Sequence, residues 1–217
     1  MIAVVDYGIG NLRSAEKALV RVGADARLVA DPEELGEAAA VVLPGVGAFG
    51  MCARELRSRG FARFVVEAIE SGKPFLGICI GFHLLYGRSE EDDTAKGLGL
   101  LGGTVRRLSG SVKLPHMQWN RLDRTRGREA AMLSGIHGDS WVYFVHSYAP
   151  VPDPVMQGVV ATCDYGGPVV AGVEVGNVWA TQFHPEKSGA VGLSILTRFV
   201  ERCGEVAAGR VMRSEGL

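Results

Sequence analysis

Short runs of aliphatic and β-branched residues at 2–6, 26–29, 40–44 and 75–78 alternate with stretches whose apolar positions recur at helical spacing. One such stretch covers 11–22. In another, Phe61, Phe64, Val65, Ala68 and Ile69 fall at i, i+3, i+4, i+7 and i+8, and Gly72 with Pro74 ends it before the next strand. Strand, helix and strand in this rhythm predict a parallel sheet with crossover helices. From about Gly97 the texture changes. Runs at 103–108, 141–145, 158–162, 169–173 and 178–183, separated by glycine, proline and asparagine, predict further strands, many of them antiparallel. A final amphipathic helix is expected over about 191–203, with a frayed tail over 205–217. The acidic segment 89–93 reads as an exposed loop. The expected fold is α/β, a mostly parallel open sheet flanked by helices with additional antiparallel strands, in one domain over 1–204.

Composition agrees with one well-filled domain, since 47% of the 217 residues are hydrophobic. With 23 basic and 24 acidic residues the net charge is −1, which removes any global electrostatic reason to expect nucleic acid or an anionic membrane as partner. The basic residues between Arg106 and Arg128 are discontinuous and include only Trp119 as an aromatic neighbour, so they read as solvated surface. No run of about eighteen apolar residues occurs, and Asp6 cuts the first apolar run too short for a signal peptide, so a cytoplasmic location is expected. Cys52, Cys79, Cys163 and Cys203 are scattered, form no C-x-x-C pair and have no histidines at zinc-ligand spacing. They are expected to be free thiols, and neither a metal nor a cofactor is expected.

The sharpest local pattern is Gly77-Ile78-Cys79-Ile80-Gly81, where a buried strand runs into G-x-C-x-G and then a helical pattern through Leu84, Leu85 and Tyr86. This is the cysteine form of a nucleophile elbow, in which the side chain is held out toward substrate and flanking glycines permit close packing. A helix starting there also favours the thiolate. The plain alternative is a buried structural cysteine. A second pattern, Gln182-Phe183-His184-Pro185-Glu186, follows an apolar strand. Proline keeps His184 extended, so His184 and Glu186 project to one side and the carboxylate can fix the imidazole tautomer. Alone this is more often a surface turn, but with an elbow cysteine it supplies a base and its orienter. A third, Gly45-Val46-Gly47, lies just past a strand end, where backbone N–H groups with that of Ile80 can form an oxyanion hole; the alternative is an ordinary turn. Asp6-Tyr7-Gly8-Ile9-Gly10 suggests a dinucleotide site, but Arg13 stands where the third glycine belongs.

Residues 6–14, 44–50, 77–81, 97–103, 115–120, 143–148 and 182–189 resemble, in order and spacing, the glutaminase subunits of imidazole glycerol phosphate synthase, within the class I glutamine amidotransferase family. The resemblance implies a nucleophile at Cys79, a base at His184, an orienting carboxylate at Glu186, and oxyanion or substrate contacts at Gly45, Val46, Gly47, Ile80, His83, Ser147 and Tyr148. It further implies glutamine as substrate and a (β/α)₈-barrel cyclase as partner in a heterodimer, met through Asn11, Met117, Trp119, Tyr143 and Lys187. Two positions depart from the family. His83 stands where glutamine is usual, and an imidazole there is expected to touch substrate and to let its ionisation enter the pH dependence of KM. Gln118 replaces the usual glycine in what reads as a partner-facing loop. Alternatives within this reading are the glutaminase of another class I system, such as pyridoxal phosphate synthesis, and a non-catalytic regulatory subunit.

Overall fold

The structure is a computed structural model that describes residues 1–137, 139–154 and 158–209. Its first half alternates as expected: β1 (Ile2–Val5), α1 (Leu12–Arg21), β2 (Ala26–Val29), β3 (Ala40–Gly45), α2 (Phe49–Ser58), α3 (Phe61–Glu70), β4 (Phe75–Cys79) and α4 (Ile80–His83). The second half adds β5 (Gly103–Arg107), β6 (His116–Arg121), β7 (Asp123–Arg124), β8 (Trp141–His146), β9 (Tyr148–Pro152), β10 (Val159–Asp164), β11 (Pro168–Val175), β12 (Val178–Thr181) and α5 (Gly189–Ala207). Among these, α2, β6, β7 and β9 had no counterpart in the sequence reading. The last helix is longer than expected at both ends, and positions 210–217 of the tail lie outside the described residues.

The main sheet has the order β2-β1-β3-β4-β12-β11-β10-β7. Strands β2, β1, β3, β4 and β12 are parallel, while β11, β10 and β7 continue antiparallel. Strands β1, β3, β4 and β12 are buried at every position, which is why they read as continuous apolar runs; helices cover both faces of a parallel sheet. Two small ribbons, β5–β9 and β6–β8, sit apart from the main sheet. In β8 burial alternates, so Phe144 and His146 turn inward while Trp141 faces water.

Helix α3 buries Phe61, Val65, Ala68 and Ile69, the stripe its spacing predicts. Gly72, at φ +81°, turns the chain back at its carboxyl end. There the Asn177 side chain donates to the carbonyls of Ile69 and Lys73 at 2.9 and 2.6 Å, and its own carbonyl accepts from the Phe75 N–H at 2.9 Å. Asn177 lies in the two-residue turn between β11 and β12. It therefore ties the start of β12 to the start of β4.

The acidic segment 89–93 is docked rather than loose. Glu91 accepts from the Phe49 N–H at the start of α2 (2.8 Å), Asp92 pairs with Arg54 (2.9 Å), and Ser89 is buried. A negative side chain at a helix N-terminus is favourably placed, and this explains an arrangement that composition alone hides. Among the described residues no helix is long and apolar enough to cross a membrane, and no cluster of three or more histidine, cysteine or acidic side chains is arranged to hold a metal.

The elbow between β4 and α4 is packed without clearance. A Cβ on Gly81 would lie 1.7 Å from the Leu43 carbonyl oxygen, and one on Gly77 would lie 3.0 Å from the Gly81 carbonyl. Gly81→Ala is expected to cost about 3 kcal/mol through this overlap with backbone, read as a lowered urea midpoint at unchanged m-value.

Candidate functional site

Cys79 ends β4 with φ +53° and ψ −106°, and is the only non-glycine residue at positive φ among the described residues. A non-glycine residue held there costs on the order of 1–3 kcal/mol and persists only when its surroundings fix it. The glycine contacts just described do so. The helix that follows is a single turn, Ile80–His83, shorter than the pattern through Tyr86 suggests; Leu84 to Tyr86 leave the helix because Leu98, Leu100 and Leu101 bond back to this segment. The site therefore has no long helix dipole behind its sulfur. What α4 does provide is the N–H of Ile80, which opens the turn and has no acceptor within it.

β12 lies parallel beside β4 with Thr181 opposite Ile78, so the chain beyond Thr181 emerges next to Cys79. Pro185–Lys187 form a 3₁₀ turn directly after His184. His184 Nδ1 and Glu186 Oε1 are 2.8 Å apart, and both side chains are at most 3% exposed. Nδ1–H donates to the carboxylate, so Nε2 is the nitrogen free to exchange a proton; it is buried on the Cys79 side and has no hydrogen-bond partner. Burial opposes charge on this imidazole, but the Cys79 and Glu186 side chains outweigh it and raise its pKa to about 10. The Ser188 hydroxyl holds the segment by donating to the His184 carbonyl (2.6 Å) and accepting from the Tyr143 N–H (3.0 Å).

A cavity of about 240 Å³ opens over the sulfur, lined by Val46, Gly47, Cys79, Ile80, His83, Ser147, Tyr148 and His184 together with Glu91, Pro115, Val145 and His146. The structure thus assembles all the expected substrate-contact residues except Gly45. That glycine is buried at the end of β3, where a Cβ would meet the Tyr7 hydroxyl at 2.5 Å and the Ile80 Cβ at 2.9 Å. Glu91 and His146 were missed: the first was hidden in an acidic segment, the second in a strand that reads as ordinary core.

His146 belongs to a directed chain. Its Nδ1–H donates to the Tyr148 carbonyl (2.9 Å), so its Nε2 accepts from His116 Nδ1–H (3.0 Å), whose Nε2 in turn faces the Asn120 amide (3.4 Å). Burial lowers His116 to about 4 and His146 to about 3, so both are neutral. This chain fixes the β8–β9 corner that carries Ser147 and Tyr148.

His83 corrects an expectation. It is buried, its Nε2 is 2.7 Å from Gln182 Oε1, and burial lowers its pKa to about 4. Its ionisation therefore lies below the neutral range and drops out of the pH dependence of KM there. Only Nδ1 remains without a partner. The other three cysteines are remote in character as well as in sequence: burial pushes Cys52 up to about 11 and Cys163 and Cys203 up to about 12, holding them as inert thiols.

Outside the cavity, Met117, Trp119 and Tyr143 lie on one face of the β6–β8 ribbon, with Met117 61% and Trp119 48% exposed. Trp141, which the sequence did not single out, joins them. Lys187 is exposed at the end of the 3₁₀ turn after His184, and Asn11 is half-buried at the start of α1, accepting from the Ser14 hydroxyl. Gln118 lies within β6 rather than in a loop, and strand alternation puts it on the face opposite Met117 and Trp119.

A profile of the class-I glutamine amidotransferase family matches residues 3–203. The chain belongs to this family. The imidazole glycerol phosphate synthase subunit HisH of Bacillus cereus is 47% identical to this amidotransferase over 200 residues, covering 92% of this chain and 93% of that protein. The HisH subunit of a Synechococcus strain is 49% identical over 204 residues, with 92% and 93% covered. A crystal structure of a glutamine amidotransferase superposes with a TM-score of 0.72 at 25% identity, covering 94% of this chain and 98% of the other.

Glu186→Gln in this amidotransferase is expected to lower the His184 pKa and to cut kcat by about 10³-fold or more, because the tautomer is no longer fixed. Since Glu186 helps raise the folded-state pKa of His184 above its ordinary 6.5, the stabilisation it gives is complete below that pH and fades as pH rises through about 10. Urea midpoints of the two proteins are accordingly expected to differ most below pH 6.5 and to converge toward pH 10.

Proposed function

We propose that the chain hydrolyses glutamine with Cys79 as nucleophile, His184 as base and acid and Glu186 as its orienter, and delivers the ammonia to a (β/α)₈-barrel cyclase bound over the β6–β8 ribbon. Its family and the 46–49% identities along nearly the whole chain make it a glutaminase subunit of imidazole glycerol phosphate synthase, in histidine biosynthesis. The observation that carries the mechanism is the strained Cys79 beside the buried His184–Glu186 pair at adjacent strand ends.

The Cys79 thiolate attacks the carboxamide carbon, forming a C–S bond and an oxyanion. Backbone N–H groups of the Gly45–Gly47 loop and Ile80 stabilise that charge, each such donor contributing about 10²–10³ in rate. His184 donates its proton to the departing nitrogen, the C–N bond breaks, and a glutamyl thioester remains. His184 then takes a proton from water, which attacks the thioester; glutamate leaves and the thiolate returns. His83 Nδ1, Ser147 and Tyr148 line the space for the glutamine backbone end. Ammonia must reach the cyclase unprotonated, because ammonium lacks the lone pair that attacks. There it is incorporated into the ribonucleotide substrate, giving imidazole glycerol phosphate and aminoimidazole carboxamide ribotide. The exposed Met117, Trp119 and Trp141 with the half-buried Tyr143 form an apolar, largely aromatic face suited to a protein partner.

Cys79→Ala, assayed in the complex, is expected to lose glutamine-dependent synthesis by at least about 10³-fold while synthesis from added ammonia persists. Loss of activity in Cys52→Ala or Cys163→Ala with retention in Cys79→Ala would reassign the nucleophile.

A further inference from the structure

The segment that delivers His184 to the site carries a second group aimed at the same sulfur. Gln182 is fully buried, and its amide Nε2 donates toward Cys79 Sγ at 3.8 Å. Its other end is clamped, because Oε1 lies 2.7 Å from His83 Nε2. A carbonyl oxygen only accepts, so that nitrogen of His83 carries the hydrogen and donates. A carboxamide has its acceptor and its donors at opposite sides of one rigid plane. Holding the oxygen therefore fixes where the N–H points.

We infer that Gln182 is a positioning residue for Cys79, oriented by His83, whose amide N–H stabilises the thiolate before attack and again when it leaves the thioester. The inference rests on Cys79 being the nucleophile. It also gives His83 a role independent of substrate: the imidazole supplies the N–H that locks the carboxamide. A hydrogen bond to an ionised group is stronger than one to a neutral group, so the bond favours S⁻ over SH. The remaining titratable groups around the sulfur are His184 with Glu186, Tyr7 following β1, Cys52 from α2, His146 from β8, Tyr148 from β9 and Glu91 from the docked acidic segment. Changing Gln182 alters none of them chemically.

The test is the pH dependence of Cys79 alkylation by iodoacetamide, followed by peptide mass spectrometry on the cyclase complex. Gln182→Met keeps length and removes the donor. It is expected to move the alkylation midpoint upward by about one pH unit, and to lower kcat for glutamine about tenfold with little change in KM. His83→Leu frees the carboxamide to rotate and is expected to move the midpoint in the same direction by less. His83→Gln, which again offers an N–H, restores it. A wild-type midpoint in folded Gln182→Met makes Gln182 a packing residue and overturns the inference. Should that variant not fold, Gln182→Glu keeps the shape but turns a carboxylate toward the sulfur, and a midpoint that fails to rise is equally contrary. Cys79→Ala separates the two levels. Retained glutamine-dependent activity there removes the reading underneath, whereas an inert Cys79→Ala with an unmoved Gln182→Met midpoint removes this inference alone.

Discussion

Parallel pairing of β12 against β4, with Thr181 opposite Ile78, sets Cys79 beside the segment bearing Gln182, His184 and Glu186. Everything chemical in the protein follows from that register. Side chains alternate along a strand, so a slip of one residue would turn Gln182 and His184 away from the sulfur and bring Phe183 toward it. The register is held at the far end by Asn177, which caps α3 and bonds the first residue of β4. A turn more than a strand's length from the sulfur thus aligns the reacting groups.

The second constraint is the elbow. Backbone strain at Cys79 is maintained because β3, β4 and α4 approach so closely that Gly77 and Gly81 have no room for a side chain. The buried histidines obey a related economy. In three of them an oxygen fixes which nitrogen donates: the Glu186 carboxylate takes Nδ1–H of His184, the Gln182 carbonyl takes Nε2–H of His83 and the Tyr148 carbonyl takes Nδ1–H of His146. Only His184 faces a carboxylate, and only His184 is driven toward the charged form; burial leaves the other three buried histidines neutral.

Much of this was legible because strand runs, the G-x-C-x-G turn and the His-Pro-Glu segment are local patterns with local causes. The insertion of β12 next to β4 was not, since 178–183 reads as a strand without saying which neighbour it takes or in which direction. Helix α2 was not legible although Phe49, Cys52, Ala53 and Leu56 follow helical spacing, because it starts straight from a glycine-rich turn at Ala48 with no side-chain cap to signal its beginning. β9 contains Pro150 and Pro152, which argue against a strand until it is seen as one half of a two-stranded ribbon. Gln182 and Glu91 were passed over for another reason. A polar residue at a strand end or in an acidic run has an ordinary solvent-facing explanation, and only tertiary packing shows that these two line or border the cavity.

The account's central claim is covalent catalysis at Cys79, and the most direct measurement is mass spectrometry of the complex acid-quenched during glutamine turnover. A glutamyl adduct on the peptide containing Cys79, absent from the peptides of Cys52, Cys163 and Cys203, is the predicted result. An adduct on another cysteine, or steady glutamate release from enzyme that never carries one even when Glu186→Gln slows its hydrolysis, would contradict it.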